Sequence, residues 1–147
     1  MARYMTKVAS PMAPEEAFAF VADLRRFAQW DPGVVRSVQV DGDGAGLGAA
    51  YEVTVSAVPR DLALRYETRD FAPEARAVVV AESALFTSED TITVEPWGAG
   101  SLVTYDADLR LRGPLAVFDL GLKLVFGRIG DRAAHGLRRA LAEEAAT

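Results

Sequence analysis

The stretch from Gly113 to Ala146, GPLAVFDLGLKLVFGRIGDRAAHGLRRALAEEAA, restricts what this chain can become more than any other. It holds no proline after Pro114, and its Gly-Pro opening stops a strand and suits the first turn of a helix. Leu115, Phe118, Leu122, Val125, Ile129, Ala133, Gly136 and Ala140 recur at steps of three and four, which is one apolar stripe of a helix. Before Gly127 the only charges in this stretch are Asp119 and Lys123, an acid one turn ahead of a base. After it, Arg128, Asp131, Arg132, His135, Arg138 and Arg139 fall on a different side. At about 100° per residue the polar face turns by roughly a quarter to a third of a circle. One long helix is expected, bent or weakened near Gly127 and Gly130. Val117, Leu120 and Leu124 lie on the side that later becomes charged, so cover is expected from short helices, a loop or a second copy in a homodimer. Glycine costs a helix interior about 1 kcal/mol. Gly121, Gly127, Gly130 and Gly136 therefore need a reason, either close packing against a sheet or room for a ligand. On the second reading, Gly127→Leu with Gly130→Leu shrinks a cavity beneath the helix.

The rest of the chain supplies something for that helix to lie on. Tyr4 to Ala9 reads as a strand, broken at Ser10-Pro11-Met12-Ala13-Pro14. Pro14-Glu15-Glu16 opens a helix buried through Ala17, Phe18, Val21 and Leu24 and ended by Asp23 and Arg25-Arg26. Phe27, Trp30 and Pro32-Gly33 form a short aromatic helical turn. Strands follow in series: Val34 to Val40, Tyr51 to Ala57, Leu62 to Glu67, Arg76 to Leu85 with apolar residues on both faces, Asp90 to Glu95 and Val103 to Leu111. The turns between them are rich in glycine and proline, and Asp41-Gly42-Asp43-Gly44 is a turn rather than a complete calcium loop. The clean period of two implies an antiparallel sheet with one covered face. The expected class is α+β: a strongly curved sheet of about seven strands, in the order β-αα-β6-α, wrapped around the C-terminal helix within one domain spanning 1–147. A sheet curled in this way leaves a concavity suited to a small ligand.

Charge and composition remove several function classes. Net charge is −5 with no basic run, so nucleic acid is not an expected partner. With no cysteine and a single histidine, thiolate chemistry and a histidine-based metal site are not expected, and no cofactor is implied. The opening MARYMTKVAS lacks the apolar core of a signal peptide, and Leu115 to Phe126 is too short for a transmembrane span. A cytoplasmic protein is expected.

The order of elements resembles the helix-grip fold of the START/Bet v 1-like superfamily, and within it the bacterial polyketide cyclase/dehydrase and lipid-transport (SRPBCC) group. The residues that carry the resemblance are SPMAPEEAF at 10–18, DLRRFAQWDPGV at 23–34, DTITVEP at 90–96, Val103-Thr104-Tyr105 and LRLRGPL at 109–115. The resemblance implies a pocket for a hydrophobic molecule. In cyclase members this is a poly-β-keto chain, whose aldol closure and water loss are promoted by positioned acids and bases. It also places Trp30, on the short second helix, near one end of the cavity.

If the alternating apolar faces point inward, Tyr51, Tyr66 and Tyr105 set phenols on an apolar wall, and Asp90 shares the parity of Ile92 and Val94 at a strand end. Tyr66, Asp90 and Tyr105 are the candidate acid–base residues. Trp30, Tyr51, Val53, Leu64, Ile92, Phe118, Leu122 and Ile129 are the candidate ligand contacts. The competing reading is plain: tyrosines in the core with hydroxyls at its rim, Asp90 as a turn or cap acid, Trp30 as a core plug and His135 solvated. Glu82 is open between the two faces, while Arg65 and Arg69 share the parity of Glu67 and belong outside. Three functions remain in play: a carrier of an aromatic or lipid-like molecule, a polyketide cyclase or dehydratase, and an interaction or quinone-binding accessory module.

Overall fold

The computed structural model describes residues 2–56, 60–113 and 119–146, with side chains in the last segment from Phe126 onward. Strand β1 (Ala2–Ser10) leads into helix α1 (Pro14–Ala22), a single 3-10 turn (Leu24–Arg26) and the short helix α2 (Phe27–Trp30). Strands β2 (Val34–Asp41), β3 (Ala50–Val55), β4 (Leu62–Ala72), β5 (Arg76–Glu82), β6 (Phe86–Trp97) and β7 (Gly100–Leu111) follow, then helix α3 (Asp119–Ala145). The seven strands form one curved antiparallel sheet in the order β1-β7-β6-β5-β4-β3-β2, and α3 packs along β1 and α2. This is the helix-grip architecture expected from the element order. The residues Val117, Phe118, Leu120, Leu122 and Leu124, and the pair Asp119 and Lys123, lie outside the described side chains.

Local chemistry explains the entry into the sheet. Pro14 takes the first turn of α1 with Glu15 and Glu16 beside it, where acids meet the free amide ends. Asp23 stops α1 and starts the next turn by accepting the Arg25 backbone N–H at 3.1 Å, while the Arg25 guanidinium grips the same carboxylate at 2.8 Å. The buried side of α1 includes Phe20, which the apolar stripe expected there had omitted, and the Arg26 guanidinium lies 4.9 Å over its ring.

Three expectations about strands are corrected. First, β2 does not alternate as expected from Val34 onward. Its pairing slips between Val34 and Arg36, where one extra residue bulges out, so Ser37 and Gln39 oppose the inward Val53 and Tyr51 while Val38 and Val40 are exposed. Second, β5 ends at Glu82 rather than Leu85. The Ser83 hydroxyl accepts the N–H groups of Leu85 and Phe86 at 3.1 Å each and turns the chain early. Third, β6 therefore begins at Phe86, so Asp90 lies within a strand, paired with Val79 and Ala107, rather than at its start.

The α3 glycines at 127, 130 and 136 divide by surroundings, while those of Gly121 lie outside the described side chains. A Cβ on Gly136 would run into the Trp30 carbonyl oxygen and one on Gly130 into the Tyr4 ring, so both allow close packing. Gly127 is exposed with open space around it. It leaves no room under the helix, which removes its part in the expected cavity-shrinking pair.

Candidate functional site

A cavity of about 290 Å³ lies between the sheet, the end of α2 and α3. The closely packed side is aromatic. Phe27 packs 4.8 Å from Trp30, Trp30 meets Tyr105 edge-on at 5.3 Å, and Phe27 meets Tyr66 at 6.2 Å. Such tilted and edge-to-face pairs are the favoured geometry of buried rings. At the other end Val55, Leu64, Phe86, Leu109 and Phe126 are half-buried, and Ile129 is 45% exposed.

The lining is mostly apolar, and its polar side chains are one buried cluster together with Asp31, Tyr4 and Ser56. Inward positions of three strands bring Tyr66 from β4, Ser88 and Asp90 from β6, and Tyr105 from β7 together. The Tyr105 hydroxyl donates to Asp90 Oδ2 at 2.7 Å, Ser88 Oγ donates to Asp90 Oδ1 at 3.4 Å, and the Tyr66 hydroxyl donates to Ser88 Oγ at 3.2 Å. Burial pushes the Asp90 carboxyl up to about 7. The Tyr105 and Ser88 hydroxyls pull it down, and the charge of Asp31 pushes it further up. Burial, with Asp90 alongside, also raises both phenols. Asp31, just past α2, is the second cavity acid. Burial raises it although Oδ1 accepts the Gly33 N–H at 2.8 Å. A carboxyl poised near neutrality and touching a phenol can give or take a proton at ordinary pH.

Of the residues singled out in the sequence, Tyr66, Asp90, Tyr105, Leu64 and Ile129 line this cavity. Trp30, Tyr51, Val53 and Ile92 are buried but do not line it. Trp30 closes the aromatic side and borders an outer groove of about 460 Å³ between α2 and α3, where exposed His135 also lies. The Tyr51 hydroxyl reaches the Gly44 carbonyl at 3.3 Å, and burial pushes it up to about 12. Val53 and Ile92 belong to the solid core. Phe118 and Leu122 lie outside the described side chains. Arg69 and Glu82 pair on the outer face at 2.9 Å, and Arg65 is exposed.

Sequence reasoning passed over Ser88, Asp31 and Tyr4. Ser88 has the parity of Asp90 two residues on, so the period of two already placed it inward. Asp31 carried no signal of its own beside the Phe27, Trp30 and Pro32-Gly33 turn. Tyr4 was signalled from the far side, by Gly130 on α3; its hydroxyl donates to Asp131 at 2.8 Å. Among the described residues no group of three or more His, Asp or Glu side chains could hold a metal ion. No helix there is long and apolar enough to cross a membrane.

The family model for polyketide cyclase/dehydrase and lipid transport matches residues 1–142. A START superfamily protein from Mycobacterium smegmatis superposes with TM-score 0.79 at 16% identity, covering 100% of both chains. The protein TTHA0849 from Thermus thermophilus gives 0.77 at 17% identity, covering 99% of both. StfQ, a di-domain ARO/CYC protein of the steffimycin biosynthetic pathway, gives 0.71 at 15% identity; 99% of this chain covers 51% of that one. No curated protein matches the chain.

Proposed function

Since the chain belongs to the polyketide cyclase/dehydrase and lipid-transport family, we propose that it binds a small hydrophobic molecule, aromatic and polyketide-like or lipid-like, in the cavity between sheet and α3. The observation that carries this reading is the cavity itself. Its volume of about 290 Å³ lies just under the usual span of small-molecule sites, about 300–1,000 Å³, and four of its polar side chains, Tyr66, Ser88, Asp90 and Tyr105, converge on one wall. Apolar burial supplies the affinity, and the Tyr66–Ser88–Asp90–Tyr105 wall orients the ligand. Native mass spectrometry of protein purified from its own host should show a compound near one per chain, lost in Leu64→Trp, which puts an indole into the half-buried end. Protein that stays empty and takes up no polycyclic or acyl compound sinks the reading.

Catalysis is favoured by a separate feature, the Asp90 carboxyl held near neutrality against Tyr105 within the cavity. On this reading Asp90 takes a proton from an activated carbon of a poly-β-keto chain and returns one to the departing hydroxyl as water leaves. Positioned acid–base groups contribute about 10²–10⁴-fold. Asp90→Asn should lower single-turnover cyclisation of a poly-β-keto thioester by that factor with binding retained. Equal turnover in the variant leaves a carrier.

A further inference from the structure

The hydroxyl protons of the polar wall can be followed one at a time. An ionised carboxylate only accepts, so Ser88 Oγ and the Tyr105 hydroxyl both donate to Asp90. Ser88 has a single proton, now used, so its contact with Tyr66 takes the proton of the phenol. All three hydroxyl protons are then directed along the wall. What remains for the cavity at this wall is acceptor capacity, the two phenolic oxygens and the Asp90 carboxylate, with the Asp31 carboxylate nearby; the Ser56 hydroxyl, a donor as well as an acceptor, lies at the exposed rim. Among the described residues, the Gly33 N–H is the one hydrogen-bond donor to the Asp31 carboxylate, while the Val34 N–H donates to the Asp31 backbone carbonyl. The described lining holds no lysine, arginine or histidine.

We propose that the ligand of this cavity carries a hydrogen-bond donor, a phenolic or alcoholic hydroxyl, against the Tyr66–Asp90–Tyr105 wall, and that molecules ending in a free carboxylate are turned away. This rests on the reading of the cavity as a hydrophobic ligand site and adds the chemistry of the ligand's polar end. A hydroxyl proton meets an array of acceptors and completes it. A carboxylate brings no proton, and its charge is set beside one or two others in a space that screens them poorly.

The groups around Asp90 give the selectivity a pH dependence. Tyr66 faces it from β4, Ser88 from β6 and Tyr105 from β7. Asp31 past α2 and Asp106 on β7 add negative charge, with Asp106 held by Arg3 at 2.7 Å on the outer face. From α3, Asp131 is engaged by Tyr4. When Asp90 takes up a proton, that proton needs an acceptor within the wall, and one hydroxyl proton is released to point into the cavity. Exclusion of carboxylates therefore relaxes as pH falls below about 7.

Three probes with one ring system test this: 2-naphthol, 2-methoxynaphthalene and 2-naphthoate, titrated calorimetrically into the wild type and Asp90→Asn at pH 6 and pH 8. The wild type should bind 2-naphthol about tenfold or more tightly than the methyl ether at pH 8, the scale of a hydrogen bond to a charged group. The naphthoate should bind weakest and lose about tenfold in affinity from pH 6 to pH 8 as Asp90 ionises. In Asp90→Asn that loss should vanish. If the variant does not fold, the wild-type pH series still decides. Naphthoate binding as tightly as naphthol at pH 8, or naphthol no tighter than its ether, overturns the proposal and leaves the cavity a ligand site. Binding of none of the three removes the ligand-site reading and the proposal with it.

Discussion

Asp90 ties the stability of this fold to pH. Its unfolded carboxyl loses its proton near pH 4, whereas in the fold it holds the proton up to about 7. Between those values the folded chain binds more protons than the unfolded one, so the contribution of Asp90 to stability declines as pH rises from about 4 to about 7 and is level beyond. Asp90→Asn keeps the shape and never ionises. It should be as stable as the wild type near pH 4 and more stable at pH 8, by on the order of a few kcal/mol, read from urea midpoints at the two pH values. A variant less stable at pH 8 than at pH 4, relative to wild type, contradicts the sign. The sequence showed part of this. Parity aimed Tyr66, Asp90 and Tyr105 inward, but not how far Asp90 is from water, because that depends on β5 and β7 closing over both flanks. Asp31 was illegible for a different reason. It faces the cavity because α2 is anchored by Phe27 against Tyr66 and Trp30 against Tyr105, and that packing is long-range.

At the scale of elements, α3 tests the helix argument twice. Gly127 is exposed with nothing near its missing Cβ, so Gly127→Ala should stabilise the protein by up to about 1 kcal/mol. Gly136→Ala sets a methyl against the Trp30 carbonyl, a backbone atom that cannot swing aside, and should cost about 1–3 kcal/mol. Chemical denaturation of the two variants reads both, and the same sign for both would show that their surroundings do not matter. The stripe of steps three and four was legible because it is intrinsic to one helix. Which glycine meets a neighbour was not, since Tyr4 and Trp30 are more than a hundred residues away in the chain. The slip in β2 was hidden for the same reason: a bulge is a relation between two strands, and one strand read alone shows only its own alternation.

For the whole molecule, the run of elements was the most legible property, because each was marked by its own period and its own stop signals. Occupancy should be visible as global stability. A ligand at a hundred times its Kd adds about 2.7 kcal/mol, which for a chain of this size raises Tm by roughly 5–10 °C. Thermal unfolding with the compound released from the native protein should show that rise, and Leu64→Trp should abolish it. The cavity has a further property that follows from its two unlike ends. Trp30 and Phe27 are sealed in, and the Trp30 carbonyl is locked against Gly136, while Phe86, Phe126 and Ile129 reach the surface. Among the described residues the space is thus closed at its aromatic end and reaches the surface at the end lined by Phe86, Phe126 and Ile129. A guest bound as proposed would enter from that end with its polar group leading toward Tyr105. A compact fused ring would be housed entirely, whereas a long acyl chain would leave its tail hanging outside.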